Sequence, residues 1–499
     1  MFIIRVVSER TEEKGTKTPM FRRILKQALP TMIAFTMSGM YSVVDGLFVG
    51  KAAGDTGLAA INIAWPIPAV ITALGIGIGT GGSVLYSNML GKGDRDGCRR
   101  MFNTTVTFLA LAGILLSVIL FAARDPLLRI FGAEGDVMEQ AQQYTGIIIA
   151  GGVLQVCGTG ITPLLRNMNL SFAAMISMVT GFVVNIAVNY YLMFPLGMGI
   201  RGAAFGTVTA QLVVLAISIL VLARAYKEKA RPALERRLAA GICRSGITAF
   251  GVSLAPTVAL IFTNWQCLRY GGNAAVACYA VISYIVFPVQ YLLTGIGDGV
   301  QPLLSYYNGA GRPVELGQVK RIARIGAGVL GAVTMAATWI CTPYLARWFG
   351  LSEEAAAFFG TGMRISALAF LVTGFAKFNL SYLNAVLRAR LAVILTFAES
   401  LVVSPVYLFL IPAITGMTGI WISLPATAVT MLVIYGMINR KEMSYEKKDK
   451  LSKSGDCVAV CPARPDPPDR ILDLPHTPVC VYQLYRLGLH VANIQFCIS

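Results

Sequence analysis

The stretch GIGTGGSVLYSNMLGKG, Gly77–Gly93, returns 218 residues later as GIGDGVQPLLSYYNGAG, Gly295–Gly311. Gly77 aligns with Gly295, Ile78 with Ile296, Gly79 with Gly297, Gly81 with Gly299, Leu85 with Leu303, Ser87 with Ser305, Gly91 with Gly309 and Gly93 with Gly311. A second echo pairs GMGIRGAA (Gly197–Ala204) with ITGMTGIW (Ile414–Trp421), setting Gly199 against Gly416 and Gly202 against Gly419. Self-similarity at a fixed offset marks a duplicated structural unit. Both copies lie in long apolar runs, so the duplicated unit is a set of membrane helices.

The bulk composition agrees. The chain has 499 residues, is 56% hydrophobic and only 13% charged, against roughly 25% charged residues in a soluble domain. Its mean hydropathy is +0.65. A span needs about 20 apolar residues. Such runs occur near 30–50, 57–87, 103–123, 141–162, 171–194, 200–223, 246–268, 275–305, 325–345, 360–386, 391–412 and 417–438. Long unbroken runs exclude an outer-membrane barrel, whose strands alternate over about ten residues. The fold expected is an all-α polytopic membrane protein with twelve transmembrane helices in two six-helix lobes. An even number of spans per copy gives both lobes one orientation and a pseudo-twofold axis along the membrane normal.

The organisation expected is an N-terminal segment 1–26, an N-lobe 27–223, a basic linker 224–245, a C-lobe 246–440 and a tail 441–499. The net charge of +17 does not indicate nucleic acid, because Lys and Arg cluster between the apolar runs. One face collects 31 of them and the other 7, which places both termini in the cytoplasm. Residues 1–20 lack the apolar core and cleavage site of a signal peptide. The tail from Asp456 holds four of the ten Cys and both His. A knuckle of Cys457, Cys461, His476 and Cys480 fits no known zinc spacing, and the tail reads as an unstructured or aberrant extension.

Asp45, in YSVVDGLFVG (Tyr41–Gly50), is a carboxylate in a nearly uncharged span. Placing it there costs at least ~2.5 kcal/mol. Candidate partners are Asn185 and Asn189, four apart and so on one helical face, with Thr207, Thr209 and Gln211 in the next span. An Asp among Asn and Thr oxygens can hold a dehydrated Na⁺ or host a proton. The same cluster can also be a polar knot tying three spans together, although interhelical polar contacts average only about 0.6 kcal/mol. Pro30 opens the first span or kinks it, and Pro66 and Pro68 interrupt the second.

The second half has Thr263 where the offset of 218 places the counterpart of Asp45. Its ionisable residues are Asp298, Lys377 and Glu399, from which a neutral pair, Lys377 with Glu399 or Asp298, is expected; an acid left unpaired would instead give the cavity a cation-attracting surface. Aromatic faces attract organic cations. Candidate cavity residues are therefore Tyr41, Trp65, Phe182, Tyr279, Tyr284, Phe287, Gln290 and Tyr291, together with Asp298 and Glu399. No metal triad, nucleophile–base pair or phosphate loop appears. The expectation is a transporter rather than an enzyme, with no cofactor.

These residues carry a resemblance. ALPTMIAFTMSGMYSVVDGLFVGKAAGDTGLAAINIAWPI, GIGTGGSVLYSNMLGKGD, LLRNMN, the pair Asn185/Asn189, GIRGAAFGTVTAQ and the echo between halves together resemble the MATE (multidrug and toxic compound extrusion) transporters, MepA-like bacterial members in particular, from Phe21 to Arg440. The resemblance implies two lobes around a cleft and export of organic cations or drugs in exchange for H⁺ or Na⁺ across the bacterial inner membrane. It places the coupling residue on Asp45, with Asn185, Asn189 and Thr207 around it as the possible Na⁺ ligands. It also places the bending proline on Pro30. Many relatives have a carboxylate where Asn189 stands. One branch carries acids in spans seven and ten of the C-lobe, whereas this chain has no acid in span seven and Lys377 in span ten, which points to the N-lobe. The partners implied are small-molecule drugs and the lipid bilayer, with no nucleic acid, for a monomer. A lipid-linked oligosaccharide flippase of the same superfamily is the alternative, and would need several basic residues in its cavity.

Overall fold

The computed structural model describes residues 19–225, 232–348 and 353–458. Among them every regular element is helical. In chain order these are α1 (Met20–Ala64), α2 (Pro66–Lys92), α3 (Arg95–Ile130), α4 (Gly135–Ala150), α5 (Gly152–Asn167), α6 (Ser171–Met193), α7 (Ile200–Ala225), α8 (Arg236–Gly309), α9 (Pro313–Trp348), α10 (Glu353–Leu368), α11 (Phe370–Ala385), α12 (Ala389–Ala398), a π turn (Glu399–Val403), α13 (Ser404–Thr415) and α14 (Met417–Val458). Among the described residues ten helices are long and apolar enough to cross a membrane, and two bent pairs, each counted as one span, bring the number up to twelve. Large apolar side chains such as Leu115, Val118, Phe121 and Ile130 of α3 face outward, as suits a lipid-facing surface.

Residues up to Leu432 form one compact unit and those from Val433 a second. Both repeats lie in the first. In the second, the helix runs on to Val458, so 441–458, which the sequence reading assigned to an unstructured tail, are helical. The Cys- and Pro-rich stretch from 459, residues 1–18 and the linker residues 226–231 lie outside the described residues.

The duplication is written into the backbone. α1 breaks at Gly54 and α8 at Gly272, with φ of 64° and 60°, and the two positions are 218 apart. This is left-handed backbone that glycine enters without a Cβ penalty. Among the described residues, Asn169 and Leu387, again 218 apart, are the positive-φ residues other than glycine, both at 62°. The fourth span bends by 56° between α4 and α5, and the tenth by 41° between α10 and α11. Those breaks fall at Gly151 and Ala369, once more 218 apart.

The break at Gly54 corrects the expected start of the second span. Residues 57–64 belong to α1, and the span begins at Pro66, the first residue of α2. A first-turn proline sacrifices no intrahelical hydrogen bond, so Pro66 and Pro68 start this helix rather than interrupt it. Pro30, by contrast, lies well inside α1 and is not a first-turn proline.

The halves meet through paired glycines. A Cβ on Gly91 would collide with the carbonyl oxygen of Tyr306, and one on Gly309 with that of Asn88. Positions 88 and 306, like 91 and 309, are 218 apart. The same exchange recurs farther along, where Gly77 packs on Gly246 and Phe250 of α8 while Gly295 packs on Met32 and Gly299 on Ala28 of α1. Small residues let membrane helices approach backbone to backbone. Around these crossings Ser87 donates to Asn167 Oδ1 at 2.7 Å, Asn167 Nδ2 to Gln301 Oε1 at 3.0 Å, and Asn308 Nδ2 to Asn88 Oδ1 at 2.7 Å. The two halves are thus sealed at this end by helix backbones and amides.

Candidate functional site

Tyr41 and Asp45 stand one turn apart on α1, facing α6 and α7. Asn189 Nδ2 donates to Asp45 Oδ1 and also lies 3.3 Å from Asn185 Oδ1. Asn185 Nδ2 donates to the Tyr41 hydroxyl at 3.0 Å, and that hydroxyl donates to Thr207 Oγ1 at 2.7 Å. A single chain of hydrogen bonds therefore runs Asp45–Asn189–Asn185–Tyr41–Thr207. Asn185 and Asn189 are fully buried, whereas Asp45 and Tyr41 are partly exposed. The spacing of four put both amides on one face of α6, as read from the sequence.

Two details depart from the expectation. Thr207 bonds to Tyr41 and not directly to Asp45, so Tyr41 is the central link of the chain rather than only a cavity wall. Gln211 is not brought to Asp45: its side chain lies against Gly158 of α5. Sequence reading also missed Tyr144 of α4, which is buried and within electrostatic reach of Asp45. A lone tyrosine at the polar start of an apolar run gave no signal for that.

One atom of this cluster is unsatisfied. Asn189 Oδ1 is buried with no hydrogen-bond donor. Gly206 of α7 makes room for it, since a Cβ there would collide with that oxygen. Buried polar atoms are normally paired. An orphaned amide oxygen beside a carboxylate can accept a proton donor or ligate a cation. Among the described residues no three His, Cys, Asp or Glu gather into a metal cluster, so a cation here would rest on one carboxylate and neutral oxygens.

The remaining candidates separate. Tyr284 reaches across to α1, its hydroxyl 3.1 Å from the place of a Cβ on Gly46, and Tyr291 packs edge-on to Phe35 with ring centroids 6.5 Å apart. Gln290 and Phe287 line a different cavity, within the second half. Lys377 Nζ lies 3.5 Å from Glu399 Oε1, with both side chains largely buried. This is one of the two pairings expected, and it occupies Glu399. Asp298 accepts from Ser381 at 2.8 Å. Arg166, which sequence reading counted among the loop charges, is instead buried in α5 over the Phe35 ring at 5.0 Å. α5 runs on past the expected end of span four, and that extension carries Arg166 inside.

A family model described as MatE matches residues 30–191 and again 248–410. The two matches begin 218 residues apart. The chain is 23% identical over 435 residues to "Multidrug export protein MepA" of Staphylococcus haemolyticus, covering 85% of this chain and 95% of that one. Among solved structures, it superposes on an outward-facing MATE family transporter of the MOP superfamily with a TM-score of 0.81 at 22% identity, covering 87% of this chain and 100% of the other. It also superposes on a MOP superfamily transporter from Pyrococcus furiosus with a TM-score of 0.80 at 22% identity and the same two coverages. With the family pattern occurring once in each half, on a backbone that carries the same duplication, the chain belongs to the MatE family of membrane transporters.

Proposed function

We propose that the protein is a secondary active antiporter that exports organic cations and drugs in exchange for H⁺ or Na⁺ by alternating access. In this reading it works as a monomer in the bacterial cytoplasmic membrane with both termini inside, and Asp45 is the coupling residue. The observation that carries the reading is the orphaned Asn189 Oδ1 beside Asp45. An ionised carboxylate only accepts hydrogen bonds, whereas a protonated one must also donate. Ionised Asp45 accepts from Asn189 Nδ2. When a proton arrives, a half-turn of the Asn189 amide presents Oδ1 as the acceptor, and Asn185 and Tyr41 feel the reversal along the chain. Na⁺ uses the same turn, bringing Oδ1 and the carboxylate onto one ion. Either cation changes the bonds among α1, α6 and α7. A ligand shifts a conformational equilibrium only through such a difference in affinity for the two states.

The lipid flippase reading needs several free bases facing the cavity, and the Lys377–Glu399 ion pair occupies one of the bases inside the bundle. The test is efflux of ethidium from cells making the protein or its Asp45→Asn variant, with the proton and Na⁺ gradients collapsed separately. Loss of efflux in the variant and on collapse of one gradient is the expected result, and it names the ion. Normal efflux by Asp45→Asn overturns the assignment.

A further inference from the structure

A groove of about 530 Å³ lies between the early turns of α8 and α12, a volume within the range of small-molecule sites. Arg244 of α8 and Arg390 of α12 line it, with Ile247, Ala389, Val393 and Ile394. Arg244 and Ile247 are three apart on α8, and Val393 and Ile394 follow Arg390 by three and four on α12. Each base therefore shares a helix face with apolar residues. The two helices begin the seventh and eleventh spans, so they run in the same direction, and in both the base comes a turn before the aliphatic side chains. The groove has two arginines at one end and aliphatic walls beyond them. Ile247 is 43% exposed and Ile394 64%, so the described residues leave these walls open to the outside.

No acid answers these bases along either helix. α8 has no Asp or Glu before Asp298, and α12 has none at all. Among the described residues no ion pair involves Arg244 or Arg390. Arg390 is also the second residue of α12, whose start has no side-chain cap. A helix dipole disfavours a cation there and favours an anion. The guanidinium fork can grip one phosphate through two N–H groups. The duplication supplies a contrast, because the offset of 218 carries Arg244 to Lys26 and Arg390 to Phe172. The equivalent face of the first half thus has one base in place of two.

We infer that this groove holds an anionic phospholipid, its phosphate between Arg244 and Arg390 and an acyl chain along Ile247, Val393 and Ile394. Basic pockets between membrane helices take lipid headgroups in this way. The aliphatic walls beyond the bases favour a lipid over a free phosphate, which has nothing to bury against them. The inference holds whichever solute the protein exports and whichever ion drives it.

The test is lipid binding to the detergent-purified full chain, read by native mass spectrometry. The probes are dioleoyl phosphatidylglycerol and dioleoyl phosphatidylcholine, with inorganic phosphate as competitor. The wild type is expected to bind phosphatidylglycerol at least about tenfold more tightly than phosphatidylcholine. Arg244→Gln and Arg390→Gln are each expected to weaken phosphatidylglycerol about fivefold, and together about 25-fold, while leaving phosphatidylcholine unchanged. Both side chains are exposed, so the variants should elute as the wild type does. Lys26 has no second base with which to share a phosphate, so Lys26→Gln should weaken phosphatidylglycerol less than either arginine variant. Ile394→Gln, which puts an amide in the acyl path, should weaken both lipids. Equal binding of the two lipids by the wild type, or a loss from Lys26→Gln as large as from either arginine variant, overturns the site. Complete displacement by millimolar phosphate, or indifference of both lipids to Ile394→Gln, makes the ligand a free anion and overturns the lipid.

Discussion

Gly206→Ala is the sharpest perturbation of the proposed coupling cluster. A Cβ at Gly206 would stand 2.8 Å from Asn189 Cγ and 3.3 Å from its backbone nitrogen, and would collide with Oδ1 outright. Real Cβ atoms do not sit so close, and α6 and α7 are packed against each other here, so the Asn189 amide must move. Overpacking of this kind costs about 1–3 kcal/mol. Displacing the amide also removes its hydrogen bond to the Asp45 carboxylate, a charged bond contributing about 1.5–3 kcal/mol. The lower figure for the hydrogen bond, about 1.5 kcal/mol, alone corresponds to about a tenfold change in an equilibrium constant. The variant should therefore export ethidium at least about tenfold more slowly under a full gradient. Gly326→Ala is the control: that position is an exposed helix site with nothing within 4 Å of the new Cβ, and export should match the wild type. Export at the wild-type rate by Gly206→Ala would refute the view that the position of the Asn189 amide governs coupling.

Tyr41→Phe deletes the central link between Asn185 and Thr207 and should lower export several-fold, at a stability cost of about 1–3 kcal/mol for the two bonds, read by thermal unfolding with the transport assay alongside. Lys377→Met should destabilise the fold by about 3 kcal/mol by leaving Glu399 buried without its partner. Lys377→Met combined with Glu399→Gln should recover most of that, and a double variant as unstable as the single one would contradict a mainly pairwise role. Gly309→Ala pushes Asn88 away and should raise the maleimide labelling rate of a Ser87→Cys reporter; unchanged labelling would mean that the seal does not depend on this crossing.

Much of this was legible in the sequence because of what helices do with glycine and charge. The echo of Gly77–Gly93 survives at the residues whose missing Cβ lets two backbones touch, so packing demands wrote the repeat into the letters. Asp45, Asn185 and Asn189 were visible because polar groups in an apolar span need one another, and a spacing of four puts the amides on one face. Tyr41 was harder to place. Its ring reads as a cavity wall, and only the geometry makes its hydroxyl the bridge between two helices. Hydropathy also put the start of span two at 57, since an apolar average does not register the turn at Gly54. Arg166 was misplaced for a related reason: α5 outlasts its own apolar run, so a base that reads as loop is carried into the bundle.

The paired crossing of Gly91 on Tyr306 and Gly309 on Asn88 also bears on descent. In an ancestor made of two identical half-length chains, one glycine and one carbonyl position would have supplied both contacts, and any substitution would have struck twice. Fusion of the two genes removed that penalty, because each copy could then mutate alone. The crossing glycines nevertheless still match, while Asp45 faces Thr263 across the duplication and Tyr41 faces Ala259. The joint between the copies has thus stayed symmetric while the polar residues at these equivalent positions have diverged.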